Sequence, residues 1–276
     1  MLSNVGPEVG SVLVEDGELR YERAGIGDPL VFRHAGVADR RMWHSQLATL
    51  SQQFAAVAYD MRGFGESPPT AGDHSPQHDL ARLLSELAID RPHLIGCSKG
   101  GETALDFALA HPGQVESLTL VGSSVSGWES DAPPPPGYGE MVAAFEAGDM
   151  DAAADAGVKM WIAGPNRPVE AIADEVRTLG RSMAAIILRN QAAGIGRELP
   201  PARPALAELE MVATPTLVVS GRLDDPDILA IAEMLASRIP GARAIVIEDA
   251  GHLSPLEKPE EFNGILVDFV RTVSSH

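Results

Sequence analysis

The sequence has little of what several classes of protein depend on. It contains one cysteine, Cys97, in 276 residues, so an intrachain disulfide and a thiolate zinc site are excluded. Lys and Arg number 21 against 39 Asp and Glu, a net charge of −18, whereas nucleic-acid binding depends on cationic side chains that displace counterions. No apolar run approaches the ~18 residues of a membrane span. We therefore expect neither a nucleic-acid partner nor a membrane partner.

The first ten residues also lack the features of a secretion signal, because they contain no basic start and no apolar stretch. A cytoplasmic protein is the resulting expectation. Hydrophobic residues make up 45% of the chain and charged residues 22%, proportions typical of a globular protein. A chain of this length buries enough surface to fold without a metal or a disulfide.

Short apolar runs alternate with helical patterns along most of the chain. The clearest helical pattern has leucines at 80, 83, 84 and 87, preceded by Ser75 as an N-cap, and residues 262–273 repeat the spacing. Residues 11–15 and 18–21, joined by a turn at Asp16 and Gly17, predict a hairpin at the sheet edge. This alternation predicts an α/β fold with a mostly parallel central sheet flanked by helices. The predicted buried strands are residues 30–33, 54–59, 93–96, 118–121, 216–220 and 244–247.

The middle of the chain interrupts this alternation. Four consecutive prolines at 133–136 exclude helix and central strand there. Residues from about 123 to 206 carry helical patterns without strands, most clearly at 151–162 and 169–192. We predict a helical cap, residues 123–206, inserted into a core formed by residues 1–122 and 207–276. A pocket is expected between the two parts.

Residues 96–101, with the sequence GCSKGG, follow a predicted strand and precede a predicted helix. In this context the G-x-S-x-G pattern predicts a sharp, strained turn that exposes the hydroxyl of Ser98. The helix N-terminus beside it favours developing negative charge. The alternative is a turn of small residues that packs a helix on a strand. The context favours Ser98 as a nucleophile.

A serine nucleophile needs a base, and histidine is the usual one because its pKa is close to the working pH. His252 has the best setting of the eight histidines, in a loop after the strand at 244–247, where Gly251 allows a close turn. A carboxylate must orient the base, and both Asp224 and Asp225 follow the strand at 216–220. His93 is expected to be structural. The histidines expected to be solvated are His44, His78, His111 and His276.

Four motifs occur in a characteristic order: HAGV with RMW at 34–43, DMRGFGES at 60–67, GCSKGG, and GRLD at 221–224 with GH at 251–252. With these motifs the chain resembles the α/β-hydrolase superfamily, of the lidded serine esterase and enol-lactonase type. The resemblance covers nearly all of the chain. It implies an α/β-hydrolase fold with an inserted helical cap and a Ser-His-Asp triad.

The resemblance also assigns individual roles. The family's acid stands three residues after the glycine, which selects Asp224, while Asp225 before Pro226 is expected to cap a helix. The oxyanion hole would use the amides of Lys99 and Gly36. Since Ala35 stands where the family has glycine, Val37 is the alternative second donor. His34 would be structural and would hydrogen-bond the loop.

Other residues near these motifs have more than one interpretation. The Lys99 side chain would meet either a substrate carboxylate or, the favoured reading, an acid of the cap or solvent. Cys97 is expected to be a small buried hydrophobe, and Arg62 and Glu66 to form structural ion pairs. No metal or cofactor is expected, because the metalloprotease, P-loop and dinucleotide motifs do not occur. The residues expected to line the pocket are Val37, Trp128, Tyr138, Phe145, Met160 and Trp161.

The sequence thus predicts a serine hydrolase that cleaves a small, largely apolar ester or lactone through an acyl-enzyme. A carbon–carbon bond hydrolase or lyase on the same triad is the alternative among enzymes. A ligand receptor that keeps the fold and does not turn over is the alternative outside them. Halide-displacing and epoxide-opening relatives use an aspartate nucleophile, which Ser98 disfavours.

Overall fold

The computed structural model describes residues 6–275, so the expectations for His276 and the first five residues lie outside it. Across the described residues, eight strands form one sheet in the order β1-β2-β4-β3-β5-β6-β7-β8. β1 pairs antiparallel with β2 and β2 with β4, and the other five neighbouring pairs are parallel. The strands are β1 Glu8–Val14, β2 Gly17–Ala24, β3 Pro29–Arg33, β4 Ala55–Tyr59, β5 His93–Cys97, β6 Ser117–Val121, β7 Thr216–Gly221 and β8 Arg243–Ile247.

Helices cover both faces of this sheet. Ser75 accepts a hydrogen bond from the backbone N–H of His78, so it caps its helix as predicted. Asp225 likewise caps the helix after β7 by accepting from the N–H of Asp227. The helices are α1 His44–Leu50, α2 Pro76–Glu86, α3 Lys99–Ala110, α4 Tyr138–Glu146, α5 Met150–Gly157, α6 Asp174–Ala193, α7 Pro226–Arg238, α8 Ser254–Glu257 and α9 Pro259–Ser274.

The two faces of the sheet carry separate apolar clusters, as both-sided burial of parallel strands requires. One contains Trp43 and Phe262 and lies under α1 and α9. The other contains Phe107 and Leu235 and lies under α2, α3 and α7. The strands β5 and β6 are buried throughout. This packing fixes the carboxyl ends of the parallel strands, where the predicted site residues lie.

The helices α4, α5 and α6 lie between β6 and β7, in the segment predicted to be a cap. The predicted helix at 151–162 was wrong in its second half, because α5 ends at Gly157 and Val158–Ala163 forms a π-helical turn. The helix predicted from 169 begins at Asp174, after a separate 3-10 turn at Val169–Ala171. Asp174 and Glu175 favour that start because acidic side chains stabilise a helix N-terminus.

Two smaller features refine the predicted architecture. The hairpin turn is formed by Glu15 and Asp16, since Val14 pairs with Gly17. Val125 and Ala205 lie just inside the two ends of the segment predicted as a cap, residues 123–206. Both pack in the cluster under α3 and α7, so these two ends belong to the core around the sheet. Within residues 6–275, none of the helices combines the length and the apolar character that a bilayer crossing requires.

Candidate active site

Ser98 stands between β5 and α3 with φ 52° and ψ −119°, a strained conformation that L-residues rarely adopt. The flanking glycines make this turn possible. A Cβ at Gly96 would lie 2.3 Å from the carbonyl oxygen of Gly100, and one at Gly100 would lie 2.4 Å from that of Arg33. Lys99 follows as the first residue of α3, so its N–H has no acceptor within the helix. The sequence therefore forms the sharp turn predicted for it.

The structure brings Asp224 and His252 together. Asp224 follows β7, His252 follows β8, and both are buried. His252 Nδ1 lies 3.0 and 3.1 Å from the two carboxylate oxygens of Asp224, which also accepts the N–H of Asp225 at 2.7 Å. A proton held on Nδ1 by this carboxylate leaves Nε2 free to act as a base.

The carboxylate also controls the charge of the imidazole. Burial lowers the pKa of His252, but the charge and hydrogen bond of Asp224, with the charges of Asp225 and Glu257, outweigh burial. The net effect raises the pKa of His252 above its ordinary value. A base must be neutral to accept a proton. As pH falls through the raised pKa of His252, the imidazole would become protonated and could no longer act as a base.

The loop of His252 lies against the turn of Ser98. The Sγ of Cys97 is 3.7 Å from the carbonyl oxygen of His252. Between these two described segments, no hydrogen bond joins Ser98 Oγ to the imidazole. Catalytic hydrogen bonds are often long before substrate binds. Cys97 itself is fully buried, and burial followed by the charge of Asp224 raises the pKa of its thiol, so it behaves as the predicted buried hydrophobe.

The loop after β3 brings Gly36 beside Lys99. A Cβ at Gly36 would lie 3.6 and 3.7 Å from side-chain carbons of Lys99. His34 holds this loop, because its Nδ1 lies 2.8 Å from the carbonyl oxygen of Ala35 and its Nε2 accepts the N–H of Met61 at 2.9 Å. Burial lowers the pKa of His34 to about 4, so the ring is neutral at pH 7. These contacts agree with a structural role for His34.

The charged residues of the predicted motifs form ion pairs. Lys99 Nζ lies 2.6 Å from a carboxylate oxygen of Glu198, in the segment after α6. This matches the favoured interpretation of the Lys99 side chain. Arg62 pairs with Asp79, with a 2.7 Å contact to each carboxylate oxygen, and Glu66 pairs with Arg40.

An apolar cavity of about 170 Å³ lies between the loop after β3 and the cap. Gly36 and Val37 line it on one side and Trp161 on the other. The Trp161 ring is 5.3 Å from the His252 ring, so the cavity lies beside the candidate catalytic groups. Its remaining lining residues are Met141, Ala153, Gly157, Val158, Ile162, Gly180, Ala184, Ile187, Leu188 and Gln191.

Only Val37 and Trp161 of the six predicted pocket residues line this cavity. Trp128 packs against the apolar cluster under α2, α3 and α7, away from the cavity, so its predicted pocket role was wrong. Tyr138 is 44% exposed at the start of α4, and Phe145 packs inside the cap between α4, α5 and α6. Met160 is buried and does not line the cavity. Larger clefts of about 740 and 670 Å³, on the cap and around the amino ends of β3 and β4, contain none of the predicted triad.

Sequence reasoning missed a connection between the cap and the loop of His252. The guanidinium of Arg167 donates to the carbonyl oxygens of Ile162 and Ala163, 3.0 Å away in each case, and pairs with Glu257. Glu257 in turn accepts the N–H of Gly251, the residue before His252, at 3.0 Å. Both partners are largely buried. No motif marks this pair, because its members are ninety residues apart in sequence.

Comparison with known proteins agrees with this architecture. A model of the family described as alpha/beta hydrolase fold matches residues 28–259. The chain is 31% identical to a pimeloyl-[acyl-carrier protein] methyl ester esterase of Aeromonas hydrophila, over 90% of this chain and 98% of that protein. It is 25% identical to 3-oxoadipate enol-lactonase 1 of Acinetobacter baylyi, over 96% and 99%. The structure of a thermophilic esterase from Thermogutta terrifontis matches with a TM-score of 0.79 and 26% identity, over 98% and 99%. The chain therefore belongs to the alpha/beta hydrolase fold family, and it is a hydrolase.

Proposed function

We propose that the protein is a serine hydrolase that cleaves an uncharged carboxylic ester or lactone carrying a short apolar group. The observation that carries this proposal is the hydrogen-bonded pair of His252 and Asp224 beside the strained turn of Ser98. The esterase and enol-lactonase relatives support ester or lactone chemistry.

The mechanism follows from these positions. Ser98 Oγ attacks the carbonyl carbon while its proton passes to His252 Nε2, and Asp224 stabilises the imidazolium. The amides of Lys99 and Gly36, or Val37 in place of Gly36, hold the oxyanion, and one such donor contributes about 3 kcal/mol. His252 then gives its proton to the leaving alkoxide. Finally it activates a water that hydrolyses the acyl-enzyme and regenerates Ser98.

The cavity supports the choice of an uncharged, short group. No charged side chain occurs among its described lining residues, and Gln191 is the polar one. Lys99, whose side chain lies beside the cavity residue Gly36, is paired with Glu198. An apolar cavity of about 150 Å³ binds benzene, so this cavity suits a group of about six carbon atoms.

The test combines an active-site label with an ester series. A fluorophosphonate probe should label Ser98, as read by peptide mass. The kcat/KM for p-nitrophenyl esters should rise about fourfold for each added methylene, because each buried methylene contributes about 0.8 kcal/mol. It should fall once the chain is longer than the cavity. Ser98→Ala should lose on the order of 10⁶-fold in kcat, as in other cooperating triads. Ser124→Ala, at a neighbouring serine, is the matched control and should keep activity.

Two outcomes would contradict the proposal. Retained turnover in Ser98→Ala would exclude the nucleophile. Labelling of Ser98 without turnover of any ester or lactone would favour carbon–carbon bond cleavage or a receptor instead.

A further inference from the structure

Arg33, at the end of β3, is a buried arginine that forms no ion pair with any residue of the described range. Its residue is 4% exposed, and its one side-chain hydrogen bond runs from Nη2 to the sulfur of Met61, 2.9 Å away. The other donor atoms, Nε and Nη1, are enclosed and have no partner among the described residues. An arginine stays charged at any physiological pH, and an unpaired buried charge is strongly unfavourable. Something absent from the protein chain should therefore balance it.

Two further buried polar atoms lack partners at the same place. The hydroxyl of Tyr59 and the Nδ1 of His74 are both enclosed and unbonded in the described structure. Arg33, Tyr59 and His74 all line one small cavity of about 20 Å³. Buried polar groups almost always have partners, so unpaired atoms that share one cavity indicate a missing ligand.

The other charged residues of this cavity leave a positive excess. Arg62 and Lys99 also line it, together with the acids Asp79 and Glu198. Both acids are engaged, since Asp79 accepts Arg62 at 2.7 Å on each oxygen and Glu198 holds Lys99 at 2.6 Å. Three cationic side chains thus meet two carboxylates, and the uncompensated charge is that of Arg33.

One more carboxylate has an electrostatic effect at this place. Asp106 is close enough to Arg33 for the guanidinium to lower the carboxyl pKa, although burial raises it to about 6 overall. Asp106 does not line the cavity, and its oxygens accept the Ser126 hydroxyl and the Gln77 amide. It moderates the excess charge and gives Arg33 no hydrogen bond.

We propose that this cavity binds one monovalent inorganic anion of about the size of chloride. Arg33 Nε–H and Nη1–H would donate to it, joined by the Tyr59 hydroxyl and by His74 in its Nδ1–H tautomer. The guanidinium of Arg33 has hydrogen-bond donors and no acceptor. An anion can accept hydrogen bonds from Nε and Nη1 and also balance the positive charge. A water molecule would leave the charge unbalanced.

The size of the cavity restricts the ligand further. One water-sized sphere needs roughly 10–15 Å³ of such space, so the cavity holds a single small particle. Sulfate, phosphate and a substrate carboxylate are too large. The site lies behind the nucleophile turn, where the Arg33 carbonyl approaches Gly100, and it is independent of the proposed ester chemistry.

Halide-dependent stability tests the proposal. The protein, freed of chloride, is melted in sodium gluconate, and the gluconate salt is replaced stepwise by sodium chloride or sodium bromide at constant ionic strength. The melting temperature should rise with halide concentration and saturate. Arg33→Met should remove this response, while Arg23→Met, at an exposed arginine paired with Glu8, should keep it.

The test does not depend on the folding of Arg33→Met alone, because a milder variant and a crystallographic measurement address the same site. Tyr59→Phe keeps the ring and removes one donor, so it should raise the halide concentration at half-saturation severalfold. Crystals soaked in bromide should show an anomalous peak within hydrogen-bonding distance of Arg33. Equal melting temperatures in chloride and gluconate, or a cavity that holds only water in the bromide crystals, would overturn the proposal.

Discussion

At the residue scale, Gly122 leaves the space in which the His252–Asp224 pair forms. It follows β6 with φ 47°, in the left-handed region. A Cβ there would lie 3.1 Å from Asp224 Oδ2 and 3.2 Å from His252 Nδ1. A larger residue would therefore strain the backbone and push the imidazole of His252 from the carboxylate of Asp224. No motif of the sequence pointed to this glycine, because its importance depends on two loops more than a hundred residues away.

Gly157 offers a way to change the capacity of the cavity. It lines the cavity in right-handed helical geometry, and a Cβ there would meet no heavy atom within 4 Å. We expect Gly157→Leu to fill part of the cavity and to shift the ester optimum to shorter chains. Esters whose last two methylenes are excluded should lose about fifteenfold in kcat/KM, at about 0.8 kcal/mol for each methylene.

Gly264→Leu, on the exposed side of α9, is the matched control for this substitution. It should leave the chain-length profile unchanged. If Gly157→Leu kept the wild-type profile as well, the acyl or alcohol group would have to bind elsewhere.

At the element scale, the π-helical turn Val158–Ala163 connects the cap helices α4, α5 and α6 with the loops of Asp224 and His252. It carries Trp161 against His252, and Arg167 binds the carbonyl oxygens at its end. Asn166 adds hydrogen bonds from its amide to the backbone of Leu223 and Asp224, at 3.4 and 3.2 Å. Non-standard helical turns of this kind are frequent at functional sites. The cap is thus fixed to the two loops that hold Asp224 and His252.

We expect Arg167→Met to weaken this attachment. It leaves the carboxylate of Glu257 buried without its partner, which typically costs about 3–5 kcal/mol. Urea denaturation should show the loss of stability, and kcat/KM should fall because Trp161 and His252 lose their fixed relation.

Arg181→Met, which breaks an exposed cap pair with Asp155, is the control and should change neither quantity. Adding Glu257→Gln to Arg167→Met should recover part of the stability, because the unpaired charge is removed. Since the charge of Glu257 raises the pKa of His252, that second change should also move the acidic limb of kcat/KM to lower pH. A double variant no more stable than Arg167→Met alone would contradict the buried-charge explanation.

The sequence was informative about elements in proportion to how regular they are. The six strands predicted as buried are all present with their ends within one residue, because a parallel strand is a short apolar run between turn residues. The prediction was less accurate at the two sheet edges: β1 begins and β2 ends three residues beyond the predicted hairpin, and β8, predicted as buried, is mostly exposed. The π-helical turn was missed, since apolar spacing does not reveal a change in hydrogen bonding. Trp128 and Tyr138 were misplaced because a large side chain in an insertion does not show which face it covers.

At the scale of the whole molecule, the protein carries a net charge of −18, whereas the described lining of its apolar cavity contains no charged side chain. We expect an ester with a free carboxylate to react more slowly than its neutral methyl-capped analogue at low ionic strength. Part of that difference should disappear on adding salt, since the screening length falls from about 30 Å at 0.01 M to about 3 Å at 1 M.

The measurement is kcat/KM for both esters across a series of sodium gluconate concentrations, which avoids halide effects. The neutral ester should be insensitive to salt. If the ratio of the two kcat/KM values did not change with salt, the net negative charge of the protein would play no part in its preference for the neutral ester.

The position of Cys97 gives the molecule a built-in reporter. It is the sole thiol of the chain, it is fully buried, it immediately precedes Ser98, and its sulfur lies 3.7 Å from the carbonyl oxygen of His252. A thiol reagent can reach it only when the structure around it opens, so its alkylation rate in the native protein measures that opening. Compared with the rate in urea, it yields the free energy of the opening that exposes Cys97 between Ser98 and the loop of His252.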